Sequence, residues 1–165
     1  AGDGDLSFLV FGGGALMRLV FSCLLLCAAV ACGGEKTDLN VHQLLDRTPE
    51  GLKARLGEPD ISTKRSEKVT TLQWRDADGD STWVYVDLIY GYSCYVTYTF
   101  KLMEPFDERE ALRRIGIDPP AEEPETEWEN GAKRWRPFGD YDRLTLNPVT
   151  KAVSVSLIGS EPEDN

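Results

Sequence analysis

One stretch of the chain decides its fold: Thr82-Trp83-Val84-Tyr85-Val86-Asp87-Leu88-Ile89-Tyr90. Its aliphatic residues recur at every second position, and this period places them on one face of a β-strand. The segments 71–75 and 94–102 alternate in the same way, and turn residues separate all three. Together they predict a three-stranded antiparallel meander with one apolar face.

Helix signals occur in the sequence both before and after this meander. Thr48-Pro49-Glu50-Gly51 combines an N-cap residue, a proline at the first helical position and an acid in the first turn. The helix that it starts is expected to end at Gly57, because glycine suits a left-handed C-cap. Apolar spacing predicts an earlier helix over 38–45 and a later one over 107–115.

The C-terminal third predicts further strands. Segments 133–138, 141–147 and 151–158 carry strand-forming residues, whereas 119–129 is rich in Pro and Glu and has no apolar period. One-sided strands suit a sheet with helices on one face only. The predicted fold class is therefore α+β, with short helices packed on one face of an antiparallel β-sheet in two layers.

A weak internal similarity appears at a spacing of 59 residues. Leu52-Lys53-Ala54-Arg55-Leu56-Gly57 aligns with Ala111-Leu112-Arg113-Arg114-Ile115-Gly116. Two interpretations stay open. The chain could hold two helix-plus-meander units that share one sheet, or the match could be coincidence, since short helices that end in glycine are common.

The start of the chain predicts an export signal. Met17 and Arg18 precede an apolar run from Leu19 to Ala31, and small residues lead to Cys32. This run of 13 residues reaches only about 20 Å as a helix, and the hydrocarbon core of a membrane is about 30 Å thick. A cleaved leader is therefore favoured over a membrane span.

The end of this leader resembles the bacterial lipobox, because Ala29-Val30-Ala31 stands directly before Cys32. That resemblance implies lipidation of Cys32 and cleavage before it. Residues 1–31 are then upstream readthrough plus a cleaved lipoprotein signal peptide, with Met17 as the true start, and 32–37 is a flexible tether. A plain secretory signal and an uncleaved anchor over 6–31 remain the alternatives.

The segment from Leu45 to Pro59, followed by Trp74 and Trp83-Val84-Tyr85, resembles the SmpA/OmlA (BamE-like) lipoprotein domains. The matching positions are Thr48, Leu52, Leu56, Gly57 and Pro59. The resemblance implies two short helices on a three-stranded antiparallel sheet, and a role in outer-membrane assembly or protein binding.

These signals divide the chain as follows. Residues 38–159 are predicted to form a single α+β domain, in which 38–102 is the BamE-like unit and 106–159 a second unit, if the domain is tandem. Residues 160–165 form an acidic tail.

Charge narrows the partners. The chain has a formal net charge of −10, which argues against a nucleic-acid partner because such proteins carry a basic stripe. The expected partners are the membrane, through acyl chains on Cys32, and another envelope protein. No cofactor is predicted.

Catalytic and metal motifs are scarce. Asp76, Asp78 and Asp80 alternate like the start of an EF-hand loop. That loop needs Gly at its sixth position and Glu at its twelfth, but here Gly79 is fourth and the twelfth residue is Asp87. These aspartates are therefore weak metal candidates, and an Asp-Gly turn is the favoured interpretation. The single histidine, His42, is interpreted as structural.

The aromatic residues of the decisive stretch suggest the candidate site. If Val84, Val86, Leu88 and Tyr90 face the helices, then Trp83, Tyr85 and Ile89 face outward around Asp87. We take Trp83, Tyr85 and Asp87 as the candidate partner-binding residues, because Trp and Tyr are enriched at interface hot spots. The alternative is that these aromatic residues are covered by another strand, by the acidic loop or by the C-terminal segment.

These observations predict a membrane-anchored bacterial lipoprotein of the outer membrane that acts as a non-catalytic protein-binding or envelope-assembly module. Gly33 after the cysteine favours the outer membrane by family analogy. The alternatives are a small-ligand or ion-binding periplasmic lipoprotein and a carboxylate-based hydrolase.

Overall fold

The decisive stretch forms a central part of one eight-stranded sheet. A computed structural model of the chain describes residues 39–157, which adopt an α+β fold with an antiparallel sheet and two short α-helices. The strands are β1 (Ile61–Lys64), β2 (Val69–Trp74), β3 (Thr82–Ile89), β4 (Tyr92–Phe100), β5 (Thr126–Glu127), β6 (Lys133–Trp135), β7 (Arg143–Asn147) and β8 (Ala152–Ser156). Their order across the sheet is β1-β2-β3-β4-β8-β7-β6-β5, so β4 and β8 are the central pair.

The period-two alternation of β3 is confirmed. Val84 and Val86 are fully buried and Leu88 is 3% exposed, whereas the residues between them are partly exposed. Val96 on β4 and Val155 on β8 continue the apolar face in register with Val86. One hydrophobic cluster therefore runs beneath strands from both ends of the chain.

The first helix begins and ends at the predicted caps, and the second lies within its predicted range, 107–115. Helix α1 (Pro49–Leu56) starts at Thr48, whose Oγ1 accepts a hydrogen bond from the Gly51 amide at 3.3 Å. Helix α2 (Glu108–Arg114) starts at Asp107, whose carboxylate accepts from the amides at Arg109 and Glu110. Each helix buries a leucine in the common core, Leu52 from α1 and Leu112 from α2.

The predicted helix over 38–45 is only a 3₁₀ turn over Val41–Gln43 in the described residues. Tertiary contacts override the helical pattern here. The Val41 amide donates to the carbonyl of Ile115 at 2.9 Å. Gly116 has a φ of +74°, and a Cβ there would lie 2.5 Å from the Asn40 side chain, so only glycine fits at this approach.

Two strands have no counterpart in the sequence prediction. All four residues of β1 are exposed and show no apolar alternation, so its pairing with β2 is a backbone interaction that composition does not signal. Strand β5 lies inside the Pro- and Glu-rich segment 119–129, which was expected to be irregular. Tyr90 was expected beside Val84 and Leu88, but it lies in the β3–β4 turn and is 69% exposed.

Several predictions concern residues outside the described range. The leader, the start at Met17, the tether 32–37, lipidation of Cys32 and the acidic tail 160–165 all lie in residues 1–38 or 158–165. Within the part that the structure describes, no helix has the length and apolar character needed to cross a membrane.

Candidate functional site

The candidate residues lie on the face of the sheet opposite the core, which we call the outer face. One complete row of it takes a residue from each strand in register, and its members are Ile61, Gln73, Tyr85, Thr97, Ser154, Thr145, Arg134 and Thr126. Tyr85 stands in the third strand of this row. The outer face therefore extends without interruption across both halves of the chain.

Trp83 and Tyr85 form the aromatic part of the outer face. They stand two residues apart on β3, and their ring centroids are 6.4 Å apart at an interplanar angle of 49°. Both are partly exposed, and Val84 between them is fully buried. The backbone alternation thus holds two large aromatic side chains next to each other and in contact with solvent.

Asp87 completes the set of three candidate residues. Its Oδ1 accepts a hydrogen bond from Thr71 Oγ1 on the neighbouring strand at 2.5 Å, and its other cross-strand neighbour is Tyr95. Asp87 is partly exposed, whereas Thr71 is only 7% exposed. The structure therefore brings Trp83, Tyr85 and Asp87 to one face, and Asp87 is already oriented by a hydroxyl group.

Cationic side chains lie over two aromatic rings of the outer face, those of Trp83 and Tyr95. The ammonium of Lys101 lies 4.4 Å from the Trp83 ring centroid, and the guanidinium carbon of Arg75 lies 5.3 Å from it. The guanidinium carbon of Arg143 lies 5.9 Å from the ring of Tyr95. These separations are within the range of cation–π attraction, so a positively charged group lies at the face of each ring.

Hydroxyl groups occupy the centre of the outer face. Thr97 and Ser154 share a hydrogen bond of 2.9 Å between the two central strands. Ser156, two residues along β8, is 1% exposed, and its Oγ has no hydrogen-bond partner among the described residues. It pairs in register with Tyr95 and Arg143, so this hydroxyl is buried between a tyrosine and an arginine.

The acidic turn is organised by its own carboxylates. Asp78 accepts hydrogen bonds from the Asp80 amide at 2.9 Å and from Thr82 Oγ1 at 2.6 Å, and Asp76 accepts from the Ser81 amide at 2.6 Å. Asp80 pairs with Arg114 at 2.7 Å. Across residues 39–157, no group of three or more His, Cys, Asp and Glu side chains could hold a metal ion.

His42 packs against Tyr141, whose hydroxyl lies 2.8 Å from Nδ1 of the imidazole. Burial, with a smaller contribution from the charge of Asp140, raises the pKa of Tyr141 to about 12. The pair joins the 3₁₀ turn to the segment before β7, which is a structural role.

Period-two alternation over the predicted strand 94–102 places Cys94 on the buried face with Val96 and Tyr98, and this prediction is wrong. A β-bulge between Asp87 and Leu88 lets Ser93 pair with Leu88, and Ser93 is fully buried. Cys94 is left partly exposed. Partial burial still raises the pKa of its thiol above the usual range.

The segment Pro119–Glu122 lines two grooves, with volumes of about 290 and 330 Å³. Trp135 lines both grooves, and its indole N–H already donates to the carbonyl of Glu122 at 2.9 Å. In the larger groove, Lys133 and Glu108 pair with each other at 3.0 Å. The polar groups named here are therefore engaged within the protein.

The sequence interpretation omitted Arg75, Lys101, Tyr95 and Arg143 from the outer face. Alternation along β4 carried a usable signal for Tyr95, because every second residue of a strand shares a face. The bulge at Cys94 precedes Tyr95 and leaves this alternation unchanged from Tyr95 to Tyr98. Alternation of the predicted segments 71–75 and 94–102 carried the same signal for Arg75 and Lys101, which stand directly after β2 and β4.

Comparison of this chain with protein-family models, with curated proteins and with solved structures finds no match.

Proposed function

We propose that this protein is a membrane-anchored bacterial lipoprotein that binds another envelope protein through the outer face of its sheet, without catalysis. The observation that carries the proposal is the contact between Trp83 and Tyr85, two large aromatic side chains held side by side and partly exposed. Trp, Tyr and Arg are the residue types most enriched at the hot spots of protein interfaces.

The mechanism of binding is contact with a rigid surface. Strand β3 pairs on both sides, with β2 and with β4, so Trp83 and Tyr85 are held on a backbone that has little freedom left to lose. Side chains that are ordered before association lose less entropy on binding, and this favours affinity. The hydroxyl groups of Thr97 and Ser154 would supply polar contacts beside the aromatic pair.

We further propose that the fold is a duplicated helix-plus-meander unit with both helices on one side of the sheet. The strand order supports a repeat. In chain order, β1 to β4 and β5 to β8 each run from one edge of the sheet to its centre, and each set follows a short helix. Two tryptophans add support. Trp74 on β2 donates to the carbonyl of Gly57 at 2.9 Å, and Trp135 on β6 donates to that of Glu122 at 2.9 Å.

Equivalent strands thus carry a tryptophan that binds the segment following the preceding helix. Burial of Leu52 and Leu112 in one core supports the two-layer arrangement. The resemblance of 38–102 to SmpA/OmlA (BamE-like) domains agrees with this proposal, and a tandem arrangement of that fold would make 106–159 its second unit.

The partner-binding proposal is tested by capture from membranes. The chain is crosslinked in cells, purified and compared with the variants Trp83→Ala and Tyr85→Ala; Tyr92→Ala is the matched control, because Tyr92 is 52% exposed at the β3–β4 turn. We expect loss of a specific partner band in the first two variants only, with melting temperatures within about 3 °C of the parent. Equal capture by all variants would contradict the proposal, and unfolding of both would assign the two rings to the core.

The lipoprotein proposal has its own test. Cells that express the chain are labelled with a palmitate analogue, and the variant Cys32→Ala is labelled in parallel. We expect incorporation in the parent and none in the variant. A label that persists in Cys32→Ala, or a parent that takes up no label, would contradict lipidation and with it the outer-membrane placement.

A further inference from the structure

Two cations share one indole ring on the outer face. The Lys101 ammonium lies 4.4 Å from the Trp83 ring centroid, and the guanidinium carbon of Arg75 lies 5.3 Å from the same centroid. Arg75 and Lys101 are both exposed. Both side chains come from outside β3, Arg75 directly after β2 and Lys101 directly after β4, so they approach Trp83 from neighbouring strands on opposite sides of it.

Three carboxylates close to Arg75 or Lys101 in the sequence or the fold bind groups other than these two cationic side chains. Among residues 39–157, neither Arg75 nor Lys101 forms an ion pair with an acid. Asp60 accepts from the backbone amide of Arg75, Asp76 accepts from the Ser81 amide, and Asp80 pairs with Arg114. The positive charge at Trp83 is therefore left without a paired acid from the described residues.

The chain has 28 acidic and 18 basic residues, so acids outnumber basic side chains. Some other basic side chains of the described residues do pair with acids, and they include Lys53, Lys133, Arg113, Arg114 and Arg136. Two like charges on one ring repel each other. An external carboxylate placed between them would remove that repulsion and gain two charge-assisted contacts.

We infer that the outer face binds an acidic segment of a partner protein, and that Arg75 and Lys101 receive a carboxylate of that segment beside the Trp83 ring. The inference rests on the proposed function and names the chemistry of its partner. Trp83 and Tyr85 supply the apolar contact area, and the two cations select for Asp or Glu next to an apolar partner residue. Arg143 over Tyr95 extends the positive charge along the same face.

A protein segment fits this surface better than an anionic membrane does. The chain as a whole carries a formal charge of −10, which repels an extended anionic surface. A peptide carboxylate needs only the local pair of cations. Two aromatic rings with an arginine beside them also match the composition of protein interfaces, where aromatic residues and Arg are enriched.

The inference is tested by selection from a displayed library of random 12-residue peptides against the purified full chain. Affinities of the selected peptides are then measured by fluorescence anisotropy for the parent and for Arg75→Gln, Lys101→Gln, Trp83→Ala and Tyr85→Ala. Lys64→Gln is the charge-matched control, because Lys64 is an exposed cation on the edge strand β1. Vesicles of phosphatidylglycerol and of phosphatidylcholine are tested in the same assay.

We expect enrichment of peptides with two or more Asp or Glu residues beside an aromatic or aliphatic residue. Their affinity should fall at least fivefold in Arg75→Gln and in Lys101→Gln, less than twofold in Lys64→Gln, and should decrease as the salt concentration rises. Phosphatidylglycerol vesicles should bind no better than phosphatidylcholine vesicles.

The other outcomes separate the two proposals. Peptides that lose affinity in Trp83→Ala but show no acidic enrichment, or that bind Arg75→Gln and Lys101→Gln normally, would overturn the acidic-partner inference and leave the binding surface intact. Both the acidic-partner inference and the binding-surface proposal would be overturned by peptides whose affinity is unchanged in Trp83→Ala and Tyr85→Ala. A selection that enriches no peptide would also overturn both. Binding to phosphatidylglycerol that is lost in Arg75→Gln would assign the cations to a lipid surface and overturn the inference.

Discussion

The Ser93 hydroxyl donates a hydrogen bond of 2.5 Å to the carbonyl of Leu44, 49 residues earlier in the chain. The same oxygen accepts from the Arg47 amide at 2.7 Å. Backbone bonds from the Ser93 amide to Arg47 and from the Asp46 amide to Ser93 accompany them, both at 2.8 Å. One buried serine at the start of β4 thus holds the segment that leads into α1.

Replacement of Ser93 by alanine should destabilise the domain by about 2 to 3 kcal/mol, because the Leu44 carbonyl and the Arg47 amide would lose a buried partner. The free energy of unfolding in urea measures this loss. Ser62→Ala is the control, since Ser62 is exposed on β1, and it should change stability by less than about 0.5 kcal/mol. Equal stability of the two variants would show that water replaces the serine hydroxyl.

Much of the fold follows from local patterns in the sequence. Alternation identifies the buried face of β3, and cap chemistry locates Thr48 at the start of α1, because both signals act over a few neighbouring residues. Strand β1 carries no such signal, since its four residues are all exposed. Its position is set by backbone hydrogen bonds to β2, which any sequence without proline can form.

The candidate site could be predicted only in part for a related reason. Trp83, Tyr85 and Asp87 share a strand, so period two places them together. The contact between Thr97 and Ser154 joins residues 57 positions apart, and it depends on the pairing of β4 with β8. The bulge that puts Ser93 inward and Cys94 outward has no marker such as glycine at that position. Long-range register therefore decides the rest of the site.

The acidic turn provides a second prediction. Asp78→Ala should destabilise the domain by about 1 to 3 kcal/mol, because the Thr82 hydroxyl is part-buried and would lose its acceptor, as would the Asp80 amide. Urea unfolding measures the loss. In the parent chain, addition of millimolar calcium after chelation with EDTA should leave the melting temperature unchanged, because the Asp76 and Asp78 carboxylates already bind the turn itself.

A melting temperature that rises with calcium in the parent, and fails to rise in Asp78→Ala, would contradict the structural role of this turn. It would then indicate a cation site instead. Glu127→Gln is the control for a general loss of negative charge, since Glu127 is exposed on β5, far from the turn in sequence. Its melting temperature should respond to calcium as the parent does.

The pKa of Tyr141 gives a prediction about alkaline pH. Burial raises this pKa from an ordinary 10.0 to about 12, so the folded state keeps the phenol proton at a pH where the unfolded state releases it. The stability contributed by the neutral phenol is complete below pH 10 and decreases as the pH rises through 12. The free energy of unfolding should therefore fall more steeply above pH 10 in the parent than in Tyr141→Phe.

Absorbance at 295 nm checks the same group directly. The tyrosine step near pH 12 should lose one phenol in Tyr141→Phe and keep it in Tyr92→Phe, where an exposed ring is replaced. Identical alkaline titrations of the parent and Tyr141→Phe would contradict the raised pKa.

The last prediction concerns the two helices. Leu52 is fully buried and Leu112 is 1% exposed, and both belong to one hydrophobic cluster with Val86 and Val153. Leu52→Ala and Leu112→Ala should each cost about 2 to 5 kcal/mol. The exposed Leu102, 69% accessible, is the control, and Leu102→Ala should cost less than about 0.5 kcal/mol.

A shared cluster also makes unfolding cooperative. Because β4 and β8 pair at the centre of the sheet, loss of either helix should expose core residues that both halves use. Tryptophan fluorescence and far-ultraviolet circular dichroism should therefore report one common transition in the parent and in both leucine variants. Separate transitions in Leu112→Ala, with the first half of the chain still folded, would mean that each half stabilises itself and that the central pair adds little.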